Sequence, residues 1–274
     1  MDLLYLLKIV IVAIVEGITE FLPISSTGHM IIVSDLLKLE STPFLKLLLV
    51  VIQVGAIMAV VVLYRKRLLN TLKPQNLKPG EVGFNFWAKI AIAVVPAGII
   101  GLLFDDIIEA KFMNSFTVSL ALIVGAILMI ICENKFRKNA KTDDIDKITY
   151  KQAFIVGAFQ TLAILFPGFS RSASSIIGGW IMGFSTVVAA EFSFFLAIPT
   201  MLLGSAYKLF KYEAALSVPE IGYIVIGLII SFVVAYFVIE KFIAYLQKKP
   251  MRIFAVYRLI VGFILLCGIV VNFL

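Results

Sequence analysis

Six stretches of this chain, at about residues 44–64, 86–104, 116–132, 187–207, 221–239 and 253–273, are almost wholly apolar. Each is close to the roughly 20 residues that a helix needs to cross a bilayer. Backbone inside hydrocarbon must satisfy its own N–H and C=O groups, which leaves helices and closed barrels as the spanning structures. These runs are too long and too uniform for the alternating pattern of barrel strands. The expected fold is therefore an all-α integral membrane protein. Composition agrees, with 61% hydrophobic and only 15% charged residues and a mean hydropathy of +1.06. The net charge of +7 does not point to nucleic acid, because the cations cluster beside the apolar runs, where membrane topology alone accounts for them.

Those cations also orient the chain. Segment 65–81 carries Arg65, Lys66, Arg67, Lys73 and Lys78, and segment 133–151 carries Lys135, Arg137, Lys138, Lys141, Lys147 and Lys151. Segment 240–252 carries Lys241, Lys248, Lys249 and Arg252, whereas connections 105–115 and 211–220 have one basic residue each. The positive-inside rule places the three basic segments in the cytoplasm. Two further apolar regions, 3–33 and 152–183, are interrupted by "FLPISSTGH" and "LFPGFSRSASS". With the basic segments fixed inside, region 152–183 must return to the side from which it entered, and by the same logic region 3–33 can dip in from the outside and return. The predicted architecture is one membrane domain over 1–274, with six transmembrane helices and two re-entrant helix-loop-helix regions. It divides into repeat 1 at about 1–132, a cytoplasmic linker 133–149, and repeat 2 at about 150–274 in inverted orientation. A shift of 144 positions lays Pro23 on Pro167, Ser26 on Ser170 and Glu16 on Gln160. The opening "MDLLYLL" has no basic leader and no small-residue cleavage site, so it is read as mature protein. Cys132 and Cys267 read as small hydrophobes, without metal-site spacing.

The polar residues of the two interruptions carry the chemistry. Glu16 and Glu20 are four apart, on one helix face. A carboxylate at the bilayer centre costs on the order of 3 kcal/mol, so the pair reads either as a solvated or arginine-paired feature or as a metal or acid/base site. Pro23 breaks the helix. Ser25 or Ser26 can cap the next one, and its free N–H groups, with Thr27 and Gly28, can also cradle an anion. His29, the only histidine, is placed for proton transfer. In the second interruption Pro167 and Gly168 break the helix, Ser170 and Ser172 can cap, and Arg171 can hold a phosphate in a bidentate manner or pair with Glu16 or Glu20. Glu191 and Arg258 lie within spans and read as inter-helix partners, while Lys8 and Lys46 snorkel to an interface. An anion site that also holds two carboxylates calls for a divalent cation with oxygen ligands, Mg²⁺ or Ca²⁺, here at Glu16 and Glu20.

"EGITEFLPISSTGH" and "PGFSRS" resemble the two signature motifs of the undecaprenyl-diphosphate phosphatase family, also called bacitracin-resistance proteins. The first matches over Glu16, Glu20, Pro23, Ser25, Ser26, Gly28 and His29, and the second over Pro167, Gly168, Ser170, Arg171 and Ser172, with Gln160 upstream. "FSFFLAIP" at 192–199 is also like the family, and the resemblance covers nearly the whole chain. Ala173 stands where the family usually has glycine, and Ser175 where it usually has threonine. The resemblance implies an enzyme of the bacterial plasma membrane that opens toward the periplasm. It removes the terminal phosphate of undecaprenyl diphosphate with a divalent cation, recycling the carrier lipid for peptidoglycan synthesis. In that scheme Arg171, Ser170, Ser172 and Ser175 hold phosphate with Ser25, Thr27, Gly28 and Gly168. Ser26 attacks phosphorus or positions water, His29 moves the proton, and Gln160, Gln53 and Glu191 support the site from behind. A polyprenyl diphosphate and membrane lipids are the partners, and a homodimer is left open. Lipid phosphatases that use two histidines are excluded, since this chain has one. The rival reading is a lipid-phosphate flippase or anion transporter built on the same inverted repeat.

Overall fold

The computed structural model describes residues 2–270 and is all-helical apart from one isolated β-bridge, Thr142 to Phe184. Its α-helices are α1 (Leu3–Thr19), α2 (Ser26–Leu36), α3 (Pro43–Leu63), α4 (Arg65–Thr71), α5 (Val82–Phe112), α6 (Ser115–Phe136), α7 (Tyr150–Leu165), α8 (Arg171–Ile181), α9 (Thr186–Lys211), α10 (Val218–Leu246) and α11 (Arg252–Val270). Six of them, α3, α5, α6, α9, α10 and α11, are long and apolar enough to cross a membrane, and they coincide with the six runs. Residues 271–273 of the last run lie outside the described residues. The helices overrun the apolar limits. At 31 residues, α5 is about 46 Å long, well beyond the roughly 30 Å hydrocarbon core. The basic segment 65–81 contains the short helix α4 rather than a plain loop, and most of 240–252 is the continuation of α10.

Polar punctuation sets the helix starts. Thr42 caps α3 with Pro43 in its first turn, Asn114 accepts from Thr117 N at 2.9 Å, and Thr149 with Gln152 forms a capping box at α7. Each supplies an acceptor for N–H groups that a helix start leaves free.

The two interrupted regions form hairpins, α1–α2 and α7–α8. The first leans on α10 and the second on α5, so each rests on a helix of the other half of the chain. The two ends of the second hairpin lie together, because Gln152 Nε2 donates to Met182 O at 3.0 Å. Close approach depends on small residues. Any Cβ on Gly55 would collide with the Leu228 carbonyl, and any on Gly157 with that of Ala93. In lipid such tight contacts replace the missing hydrophobic drive between helices.

Candidate active site

Both hairpin turns end in a serine with positive φ, Ser25 at 74° and Ser170 at 79°. Such a backbone is strained for a residue with a side chain, and strain of this kind clusters at functional sites. Each serine hydroxyl accepts at 3.2 Å from the N–H three residues on, Gly28 for Ser25 and Ala173 for Ser170. The shift of 144 holds for the prolines but not for the caps. Pro23 stands two residues before its cap and Pro167 three, so Ser26 corresponds to Arg171, not to Ser170. Ser26 and Thr27 in the first turn of α2 and Arg171 in that of α8 line one cavity, and a helix start carries free N–H groups and the positive end of the dipole.

The tips are tied together. Arg171 donates through Nη2 to Glu20 Oε1 at 3.0 Å, and through Nη1 to Ser193 O at 2.8 Å and Ser193 Oγ at 3.1 Å. Ser26 Oγ donates to the other oxygen of the same carboxylate, Glu20 Oε2. Ser172 Oγ donates to Phe21 O at 2.9 Å. Beneath both turns lies Arg258, fully buried. Its guanidinium donates to Pro23 O at 3.1 Å in the first tip and to Phe169 O at 2.8 Å and Gly168 O at 3.4 Å in the second. It also reaches Ala121 O and Leu122 O of α6 at 3.2 and 3.3 Å. No carboxylate lies within ion-pair distance of it among the described residues, so its charge raises the local potential for an anion.

A cavity of about 600 Å³ opens over these tips and is lined by Glu20, Ser25, Ser26, Thr27, Gly168, Ser170, Arg171, Gln53 and Gln160. Nine of the sequence-predicted residues thus share one space. The others lie elsewhere. Glu16 is fully buried behind Glu20 with both carboxylate oxygens unpartnered. Gly28 packs toward Val118, so its small size serves helix contact rather than phosphate approach. Ser175 Oγ is spent on Arg171 O at 2.8 Å and Ser193 Oγ at 2.8 Å, and Ser172 on the Phe21 carbonyl, so neither hydroxyl faces the cavity. His29 is turned toward α11, with Nδ1 2.7 Å from Ser25 O and Nε2 2.8 Å from Tyr257 Oη. A carbonyl only accepts, so Nδ1 carries the proton and the ring steadies the Ser25 turn. Glu191 belongs to a separate polar pocket with Arg67 and Asp144 and accepts from Tyr64 Oη at 3.0 Å, which removes it from the site. Lys46 pairs with Glu109 at 2.9 Å instead of only snorkelling.

Sequence reasoning missed Thr200, which lines the cavity and accepts from Gln160 Nε2 at 3.4 Å, and Tyr257, both from apolar spans with no local signal; it also passed over Ser193, although "FSFFLAIP" contains it. It also underweighted Arg258, although an arginine inside an apolar run with no acid beside it was the available clue.

A family model described as "Bacitracin resistance protein BacA" matches residues 9–264. The chain belongs to this family. It is 51% identical over 264 residues to an undecaprenyl-diphosphatase of Clostridium tetani, covering 96% of both chains. It is 49% identical to one of Clostridium novyi, covering 97% of this chain and 96% of that one. One of Caldanaerobacter subterraneus is also 49% identical, with 95% of each covered. The family matches span both hairpins, so the cavity described above lies wholly within the shared sequence.

Proposed function

We propose that this protein hydrolyses the terminal phosphate of undecaprenyl diphosphate, releasing inorganic phosphate and the lipid monophosphate. The observation that carries this reading is the chain Ser26–Glu20–Arg171 at the foot of a cavity flanked by two helix N-termini. Glu20 takes the Ser26 proton as Oγ attacks the terminal phosphorus. The new O–P bond forms as the bridging P–O bond breaks, and its electron pair leaves with the lipid phosphate. Glu20 passes that proton to the departing lipid phosphate, then takes a proton from the water that attacks the phosphoserine and returns it to Ser26 Oγ as the O–P bond breaks. Arg171 and the free N–H groups of the first turns hold the phosphoryl oxygens. Phosphoryl transfer rests mainly on such positioning and charge stabilisation.

A divalent cation fits the donor set. Glu16 offers two unpartnered buried oxygens, and Gln160, which lines the same cavity as Glu20, offers an unpartnered Oε1. All are hard oxygen ligands of the kind Mg²⁺ and Ca²⁺ take. No group of three or more His, Cys, Asp or Glu side chains gathers among the described residues. Phosphate oxygens would therefore complete the shell. Once bound, the ion neutralises phosphate charge and stabilises the departing oxygen.

The proposal places the mouth on the outer face of the bacterial plasma membrane. The mouth carries Asp105 and Lys208, next to connections 105–115 and 211–220 and at the opposite end of the spans from the three basic segments. It also takes the halves as inverted repeats, a reading supported by the matched serine caps and by each hairpin resting on the other half.

Purified protein in detergent, with no gradient, should release phosphate from an isoprenyl diphosphate, and a chelator should abolish the release. A transporter would release none in either condition. Quenching during turnover should trap an acid-stable phosphoserine on Ser26. An acid-labile adduct would move the attack to His29, and the absence of any adduct would assign it to water.

A further inference from the structure

Glycine inside a helix costs about 1 kcal/mol relative to alanine, so each one in a membrane helix needs a reason. Most here have one, since Gly17, Gly55, Gly157 and Gly262 lie against neighbouring helices. Gly98 and Gly101 on α5 and Gly204 on α9 do not, because a Cβ on any of them would meet nothing within 4 Å. All three line the cavity. Pro96 lies within α5 and Pro199 within α9, and each removes a hydrogen bond from its ladder, the usual origin of a helix bend. The contrast with the other half is direct. There α3 and α10 close on each other, with Gly55 seated on the Leu228 carbonyl. The lips of the α5–α9 crevice face outward to the lipid, with Leu102 64% and Leu203 60% exposed. At its inner end the crevice meets Arg171, Glu20 and the fully buried Gln160, whose Oε1 is unpartnered.

A crevice with a polar head and an apolar, side-chain-free body that opens sideways to lipid has the shape of an isoprenoid diphosphate. We propose that the crevice between α5 and α9, floored by Gly98, Gly101 and Gly204, is the seat of the first isoprene units of the substrate, and that the rest of the chain trails into the bilayer. This rests on the hydrolytic reading above. Branched methyl groups make an isoprenoid wider than a straight acyl chain, and bare backbone on facing helices supplies that width. The crevice therefore selects isoprenoid over acyl diphosphates by shape.

Two variants test this, Gly98→Leu with Gly101→Leu, and Gly204→Leu. Leucine is a good helix former and points into open space, so the fold should stand and melt like the parent. With farnesyl diphosphate as probe, KM should rise at least tenfold while kcat stays within about twofold, and alanine at the same positions should give a smaller rise. A benzophenone-tailed farnesyl diphosphate analogue should label α5 or α9 near these glycines. An unmoved KM, a fall in kcat alone, or labelling confined to α2 or α3 would overturn the assignment. If the unmodified protein released no phosphate from any isoprenyl diphosphate, the hydrolytic reading would fall. The labelling pattern would still report whether the crevice holds the chain.

Discussion

Replacement of Arg171 by alanine is expected to lower phosphate release from an isoprenyl diphosphate by about a thousandfold, the range that removal of a charged transition-state donor commonly produces. Arg171 acts twice. Its guanidinium holds Glu20 in line with Ser26, and it is the one cation whose side chain lines the cavity at the tips. Alanine removes the phosphate clamp and leaves Glu20 facing the incoming phosphate without its partner. Lysine should restore little, since a single ammonium cannot serve Glu20, Ser193 and a phosphoryl oxygen in the planar fork that arginine provides. The loss should appear in kcat more than in KM, because the charge that needs neutralising grows as the bridging bond breaks. The measurement is steady-state release by purified protein whose melting temperature in detergent matches the parent. Near-normal turnover in the alanine variant would remove Arg171 from the mechanism and leave its ion pair with Glu20 as a structural tie.

Serine 26 is a case where sequence and geometry part company usefully. Its place after Pro23 at a helix start could be read directly, because proline breaks a helix and serine caps one. Its role as a hydroxyl held by Glu20 could not. The two lie six positions apart across a turn whose course depends on the positive φ of Ser25. The six spans were legible because lipid imposes one length and one composition on them. Their ends were not, since α5 runs on through 105–112, where Asp105 and Glu109 pair with Lys208 of α9, and α10 runs on through 240–246.

The same division holds in the site. Glu20, Arg171 and the two capping serines announce themselves as polar residues in hydrocarbon, where every such group needs a reason. Side-chain direction does not follow from such a rule. His29 shares its turn with Ser25 and Ser26 but sits on the face toward Tyr257. Ser172 and Ser175 share a helix with Arg171 but bond backbone and Ser193. Glu191 lies in an apolar span like Arg258, yet it belongs to a different pocket. The partner each side chain meets separates these cases, and that is set by tertiary packing.

Arg258→Met is expected to be the most damaging change outside the cavity. The guanidinium binds carbonyls from both hairpin turns and from α6 at once. The turn carbonyls of Pro23, Gly168 and Phe169 lie outside the helical ladders, so methionine leaves them buried without donors. Each such group costs about 1–3 kcal/mol, and three together approach the whole stability of a typical domain, about 5–15 kcal/mol. The melting temperature in detergent should therefore drop steeply. Stability is only part of the effect. Arg258 comes from outside both hairpins and bonds carbonyls of each tip, so it also fixes the spacing between Ser26 on one and Arg171 on the other. A displacement of about 1 Å there costs on the order of a hundredfold in rate. Assays well below the variant's melting point, on its folded fraction, should therefore still show kcat reduced about a hundredfold. Lysine at 258 should recover part of the melting temperature but not kcat, because one ammonium cannot span from the Pro23 carbonyl to that of Phe169. A purely structural role predicts the opposite pattern, with kcat per folded molecule unchanged in both variants. That result would leave the alignment of the two tips to the Glu20–Arg171 pair and the Ser172–Phe21 bond alone.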